Sequence, residues 1–371
     1  MGFKFSFRPK SFHLQWHITE RCNLKCRHCY FEPNFLNNEL TLGQLFWVFK
    51  QYIELVEEWN LPLNSTRVSI TGGEPLLRED LFDLLQKFRE YRDKTRYGIL
   101  TNGTLIDEKA ARKIRTLRVD YVQVSLEGTE KINDQIRGSL SFARAVNGIK
   151  LLLRNGIKVG ISMTVTKVNL QEVPKMISFC EKIGVNSLGI RRFVPIGRGK
   201  AMEKFMLSPT ETKQIYEYIY KEKLRLKETK SKLTIILGCE DGILAQNEHY
   251  IPACCTAGYL SLTVLPNGDV YPCRRLPIKV GNALKDGLKE IYYKSEKLNE
   301  IRNLNNINEE CQSCPYFIEC RGGAKCITFG YFGTPFAPDP QCWRLFSKLP
   351  TKTFKTKVKK EVRLNKQFIE V

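Results

Sequence analysis

Cys22, Cys26 and Cys29 stand in the run Arg21-Cys-Asn-Leu-Lys-Cys-Arg-His-Cys-Tyr30, directly after a strand-like segment. Their C-x3-C-x2-C spacing is too compact for three independent core thiols. It also offers one ligand fewer than an iron–sulfur cube takes, because a 4Fe–4S cluster is normally held by four thiolates, one per iron. Three thiolates leave one iron open to bind something else, and an open metal position is where chemistry happens. Zinc is the other metal to weigh. It prefers paired C-x2-C half-sites closed by four ligands, and no fourth ligand lies near this triad in the sequence.

The elements around the triad follow a regular plan. From residue 12 to about 226, β-type runs (12–19, 67–73, 97–103, 121–128, 159–166, 188–195) alternate with helical patterns (42–59, 79–92, 108–116, 141–153, 170–183, 209–226). In the second helix Leu81, Leu84, Leu85 and Phe88 recur at helical spacing, so one face is apolar. Strict β–α alternation implies parallel strands with helices outside them. Six units are too few for a closed eight-unit barrel and suit an open, partial one. In such barrels the chemistry gathers at the C-terminal strand ends, and every distinctive short motif of this half falls there. On the first strand His17 shares a face with Gln15 and Thr19, and a structural polar contact at the barrel mouth is the expected role for it. Strand two ends in Thr71-Gly72-Gly73-Glu74-Pro75, strand three in Thr101-Asn102-Gly103 and strand four in Ser125-Leu-Glu-Gly128. Asn133-Asp134 and Ile136-Arg137-Gly138 follow.

Triad and strand-end motifs together resemble the radical S-adenosylmethionine (SAM) enzymes. The resemblance implies an open iron that chelates SAM, and a reduced cluster that cleaves it to a 5′-deoxyadenosyl radical. It implies that Gly72, Gly73, Glu74 and Pro75 bind the SAM amino group, the Glu74 carboxylate pairing with the ammonium. Asn102 belongs to the same set, Ser125 and Glu127 would contact the ribose, and Arg137 the SAM carboxylate or a neighbouring loop. His28 stands where an aromatic residue is usual, its backbone free to face adenine. Glu127 and Asn133 stand where Asp and His are usual, and both keep hydrogen-bonding ability.

The C-terminal third holds a second cysteine set: Cys254, Cys255, Cys273, Cys311, Cys314, Cys320, Cys326 and Cys342. Asn267-Gly268, between alternating apolar residues, signals a tight hairpin turn, and a helical run is expected from Gly281-Asn282 to Leu304. The order resembles the SPASM extension of radical SAM enzymes, except that Cys326 lies two residues beyond the family's C-x3-C spacing. The resemblance implies an outer auxiliary 4Fe–4S cluster on Cys311, Cys314, Cys320 and Cys342. An inner one would take Cys255, Cys273 and Cys326, with Cys254 or Cys239. The expected fold is thus α/β: a partial (β/α)6 TIM-type barrel (1–205), a linker helix (206–235), a small cysteine-rich α+β SPASM domain (236–350) and a basic tail (351–371). Cys180, beside Phe179 and Ile183, reads as a buried structural thiol.

Composition sets the remaining bounds. The 371 residues are 42% hydrophobic and 26% charged, with no apolar run long enough to span a bilayer and no signal-peptide core. A cytoplasmic protein is expected, whose 13 cysteines serve as metal ligands rather than disulfides. The net charge of +20 suits an acidic partner, such as a carboxylate-rich small molecule, an acidic peptide or a reduced ferredoxin or flavodoxin donating electrons. No aromatic-interleaved RNA-binding motif appears, so nucleic acid is not an expected partner.

Peptide or protein modification by hydrogen-atom abstraction is the leading reading, because SPASM-bearing relatives commonly act on peptides. Fewer than twenty residues precede the first strand, so a separate protein would deliver the peptide. Tetrapyrrole side-chain oxidation or decarboxylation is the alternative, since Cys320-Arg-Gly-Gly-Ala and Asp339-Pro-Gln-Cys342 resemble that branch too. A cluster-bearing electron carrier or binding module without turnover is the third.

Overall fold

The computed structural model describes residues 7–32, 39–238 and 254–346, together with Phe354 and Val358. Cys239 and nearly all of the basic tail lie outside the described residues. All six expected strands are present: β1 (Phe12–His17), β2 (Thr66–Thr71), β3 (Arg96–Thr101), β4 (Tyr121–Ser125), β5 (Val159–Val165) and β6 (Ser187–Arg192). Most end before their motif residues, which turn out of the sheet to form the mouth. The helices are α1 (Leu42–Glu58), α2 (Leu81–Arg89), α3 (Glu108–Thr116), α4 (Glu130–Arg137), α5 (Ser141–Arg154), α6 (Val173–Ile183) and α7 (Pro209–Glu228). The sequence reading missed α4, a polar helix that buries only Asn133 and Ile136.

Apolar periodicity explains the packing. Leu81, Leu84, Leu85 and Phe88 of α2 are all buried. Phe88 stacks on Phe49 of α1 at 3.9 Å and on Trp16 of β1 at 6.1 Å. Trp16 therefore faces the helical layer, and its neighbours Gln15 and His17 face the barrel interior. Thr41 and Gln44 form a capping box that starts α1, and Ser208 and Glu211 form one that starts α7. Cys180 is fully buried in α6.

The sheet extends beyond six strands. A strand follows α7, β7 (Thr234–Leu237), and pairs parallel to β6. The cysteine-rich part adds β8 (Ser261–Val264), parallel to β1, then β9 (Asp269–Tyr271) and β10 (Gly281–Asn282), both antiparallel. The order is β10-β9-β8-β1-β2-β3-β4-β5-β6-β7, and among the described residues no pairing closes it. The C-terminal region thus continues the barrel sheet at one edge, and the helix read as a linker carries the chain to the strand at the other. Sequence periodicity misses this because β7 and β8 are four residues each.

The hairpin turn is as expected, with Gly268 at φ +86°. The long helical run is not. Residues 281–282 are strand, and the helical part divides into α8 (Leu288–Lys294) and α9 (Glu296–Arg302). Ser295 breaks it by capping α9 while its hydroxyl donates to the Val280 carbonyl at 2.7 Å. Four short helices follow among the described residues up to 346: α10 (Glu309–Gln312), α11 (Phe317–Cys320), α12 (Lys325–Phe332) and α13 (Trp343–Phe346). Tyr292 of α8 packs on Phe12 and Trp59, and Trp343 of α13 on Tyr216 of α7, so the cysteine-rich part grips both flanks of the barrel. Among the described residues no helix is long and apolar enough to cross a membrane.

Candidate active site

The Cys22–Cys29 loop lies over the strand ends and is fixed by backbone contacts on three sides. Gly73 N donates to Thr19 O at 2.9 Å and Glu74 N to Arg21 O at 2.7 Å. Arg27 N donates to Ile136 O at 2.9 Å and Gly199 N to Cys29 O at 2.8 Å. These approaches leave no room for side chains. A Cβ on Gly73 would stand 2.3 Å from Arg21 O, and one on Gly197, at φ +55°, 2.5 Å from Tyr30 O. Arg198 Nη1 reaches Cys26 O at 3.3 Å, and Asn102 Nδ2 reaches Asn23 Oδ1 at 2.8 Å. The run 191–199, which holds Arg198, resembles the last barrel loop of radical SAM enzymes, whereas Asn23 is not singled out by the sequence. Nothing in its spacing marks Asn23, which acts across 79 residues of chain.

Cys22, Cys26 and Cys29 line one cavity with His28, Gly72, Gly73, Asn102, Ser125, Glu127 and Arg137. Burial, with Cys26, Glu74 and Cys29 adding to it, pushes the Cys22 thiol up to about 11. Cys26 is also raised by burial, against the nearby Arg137 cation, whose Nη1 is 3.7 Å from its sulfur. Three converging thiols beside a guanidinium are a donor set that fits a cluster, whose thiolate ligands would be steadied by that charge.

Glu127 is buried and links three elements. Its Oε1 receives His28 Nε2 at 3.2 Å and Arg137 Nε at 3.1 Å, and its Oε2 receives Thr164 N at 2.6 Å. Burial alone would raise this carboxyl, but His28 and Arg137 outweigh that and hold it at about 2. Arg137 is therefore held by an ion pair with Glu127. It ties α4 to β4 beneath the cysteine loop.

Glu74 and Pro75 do not line the cavity; both are buried behind its wall. The Glu74 carboxylate accepts from Thr101 Oγ1 at 2.7 Å, Asn102 N at 2.8 Å and Leu76 N at 3.2 Å. Burial raises its carboxyl in spite of these donors. The carboxylate thus braces the loops after β2 and β3. Glu74→Ala would leave buried donors unpaired, so a stability loss of about 1–3 kcal/mol is expected in urea unfolding.

His17 also departs from expectation. It is fully buried, neither ring nitrogen has a hydrogen-bond partner, and the ring packs edge-on to Phe31 and Tyr30. Burial, helped by Arg274, lowers its pKa to about 3, so it stays neutral near pH 7. Arginines dominate the wall facing the cysteine loop: Arg191, Arg192, Arg198, Arg274 and Arg275. Arg274 comes from the cysteine-rich part, lies over the Tyr30 ring at 5.6 Å and has no carboxylate partner among the described residues.

The second cysteine set gathers in part. Cys311, Cys314, Cys320 and Cys342 line a separate cavity with Tyr316, Phe317 and Leu345. Burial and then the neighbouring thiolates raise Cys311; burial, Asp339 and Cys342 raise Cys320 to about 12. Four thiols around an apolar cradle fit a cluster. Among the described residues no three His, Cys, Asp or Glu side chains stand at single-ion spacing; thiols ringing a cavity are what a cubane with one ligand per iron takes. Cys254 and Cys255 lie near Lys325, and Cys273 near Tyr30. Cys326 is buried in the first turn of α12, while Ala324, at the position that C-x3-C spacing would fill, caps that helix.

Comparison with known proteins agrees with this geometry. Residues 16–180 match the Radical SAM superfamily, and residues 254–315 match an iron-sulfur cluster-binding domain, SPASM. Mycofactocin maturase MftC of Mycolicibacterium smegmatis is 30% identical over 343 residues, 89% of this chain and 82% of that one. Pre-heme d1 synthase of Dinoroseobacter shibae is 27% identical over 364 residues, 91% of this chain and 87% of that one. In fold, Streptococcus suis SuiB bound to S-adenosylmethionine superposes with a TM-score of 0.72 at 20% identity, over 90% of this chain and 77% of that one. The chain belongs to the radical SAM superfamily: it is a 4Fe–4S- and SAM-dependent enzyme with a C-terminal SPASM iron–sulfur domain.

Proposed function

We propose that the chain is a peptide- or protein-modifying radical SAM enzyme working at the mouth of its partial barrel. Cys22, Cys26 and Cys29 would hold the reactive cluster. Gly72, Gly73, Asn102 and Ser125 would flank SAM, with Glu127 and Arg137 bracing the loop beneath it. Cys311, Cys314, Cys320 and Cys342 would hold the outer auxiliary cluster, and the remaining second-set cysteines an inner one. With cluster and SAM bound, such a site supplies a 5′-deoxyadenosyl radical that takes a hydrogen atom from an unreactive C–H bond. The chain's own part is to fix the loop, orient the ligands and exclude water.

One observation carries this reading: the three-thiol loop and the four-thiol cavity are joined through the same barrel wall. Arg192 lines the first cavity and pairs with Asp339, which lines the second. Similarity to a maturase across most of both chains supports the peptide substrate. A reduced ferredoxin or flavodoxin would deliver electrons, and a separate protein could present the peptide.

A second reading, oxidation or decarboxylation of a tetrapyrrole side chain, is favoured by the arginine wall. Arg274 beside neutral His17 suits a substrate carboxylate, and a pre-heme d1 synthase is similar over most of its length. The test is isotope tracing under anaerobic reduction. The enzyme is given SAM with either a deuterated candidate precursor peptide or a porphyrin deuterated in its propionates. Deuterium in 5′-deoxyadenosine from the peptide supports the first reading, and label from the porphyrin alone replaces it with the second.

A further inference from the structure

Lys325 opens α12, is 3% exposed, and its Nζ has no hydrogen-bond partner. Among the described residues no carboxylate pairs with it. The Phe336 ring lies 5.7 Å away, close to the outer limit for a cation–π contact, so that ring is a poor substitute for an ion pair. The position is unfavourable twice over. A buried ammonium without a counter-charge carries a desolvation penalty that nothing offsets, and the first turn of a helix presents its positive end. A methionine would fill the same space without either cost.

The groups that act on this ammonium show what it awaits. Lys325 directly precedes Cys326, and Ala324 before it donates its N–H to Asp339, which lines the four-thiol cavity. The charges that reach the ammonium are those of Cys255, Arg321, Cys311 and Cys254, one further cation and three sulfurs. The sulfurs come from both parts of the second cysteine set, since Cys311 lines the four-thiol cavity while Cys254 and Cys255 lie in the segment that leads into β8. Protonated thiols offer no negative charge. A four-thiolate cubane does, because its core charge of +2 or +1 is exceeded by four thiolates in both oxidation states.

We propose that Lys325 is the buried counter-cation of the SPASM iron–sulfur centre, placed beside the second cysteine set to stabilise its reduced form and raise its reduction potential. Net charge near a cluster is one of the levers that set its potential, and low dielectric lengthens the reach of that charge. The inference rests on the reading of the second cysteine set as cluster ligands, and the test separates the two.

The full-length chain carrying Cys22→Ala, Cys26→Ala and Cys29→Ala isolates the C-terminal centre. Iron content and an anaerobic redox titration followed by electron paramagnetic resonance are then compared with Lys325→Met and Lys325→Arg added. The expected result is unchanged iron in both, a midpoint shifted to more negative potential in Lys325→Met, and a midpoint near the parent in Lys325→Arg. Loss of iron in Lys325→Met with retention in Lys325→Arg also supports the charge role. An unshifted midpoint in iron-replete Lys325→Met overturns it, as does equal iron loss in both variants, which would mark Lys325 as a packing residue. A parent triple variant without iron removes the ligand reading itself, and the inference with it.

Discussion

Cys26→Ala is expected to abolish 5′-deoxyadenosine formation from SAM and dithionite while leaving the C-terminal iron in place. Two thiolates cannot hold a cubane that three already hold incompletely, so iron should fall by about four per chain from roughly eight to twelve. The loop itself should survive. Its shape comes from main-chain bonds such as Gly73 N to Thr19 O and Gly199 N to Cys29 O, none of which involves the Cys26 side chain. The nearest loss is the contact between Arg137 and the Cys26 sulfur, and Arg137 keeps Glu127 as its partner. Iron assay and chromatography of the nucleoside products check both halves of the expectation. Undiminished 5′-deoxyadenosine would overturn the assignment of the triad.

What could be read in the sequence and what could not divides along a physical line. Local patterns were legible. Cys22, Cys26 and Cys29 declare themselves by spacing, the six barrel strands by β–α alternation, and the hairpin by Asn267-Gly268. Long-range pairings were not. Glu74 stands in a motif that suggests contact with an ammonium, yet its carboxylate is engaged by Thr101 and Asn102 on the next strand, and only three dimensions reveal that. Arg137 reads as a contact of the SAM carboxylate or a neighbouring loop, and only the fold of α4 shows Glu127 as its partner. Strands β7 and β8 are too short to show a period, and it is the register with β6 and β1 that makes them part of the barrel. The Asp339-Pro-Gln-Cys342 run was visible as a motif, but its partner is Arg192, 147 residues earlier.

That pair supports the second large effect. Arg192 and Asp339 are 4% and 2% exposed and meet in two parallel bonds, Nη1 to Oδ1 at 2.9 Å and Nη2 to Oδ2 at 2.8 Å. Asp339 also accepts from Ala324 N and Gln341 N, both at 3.0 Å, so it organises the chain between Cys320 and Cys342 as well. Asp339→Leu should therefore leave a buried guanidinium without its counter-charge and two buried amides without their acceptor. Breaking such a pair from one side costs about 3–5 kcal/mol, and the denaturant midpoint should fall accordingly at constant m-value. Arg192→Met added to Asp339→Leu removes the orphaned charge, so the double variant should be more stable than Asp339→Leu alone. It should nonetheless lose auxiliary iron, because the amides of Ala324 and Gln341 still lack their acceptor and the four-thiol cavity loses its shape. If Asp339→Leu costs under about 1 kcal/mol, the ion pair does not join the two cysteine centres, and the coupling between barrel wall and SPASM domain must run through the packing of α7 on α13 instead.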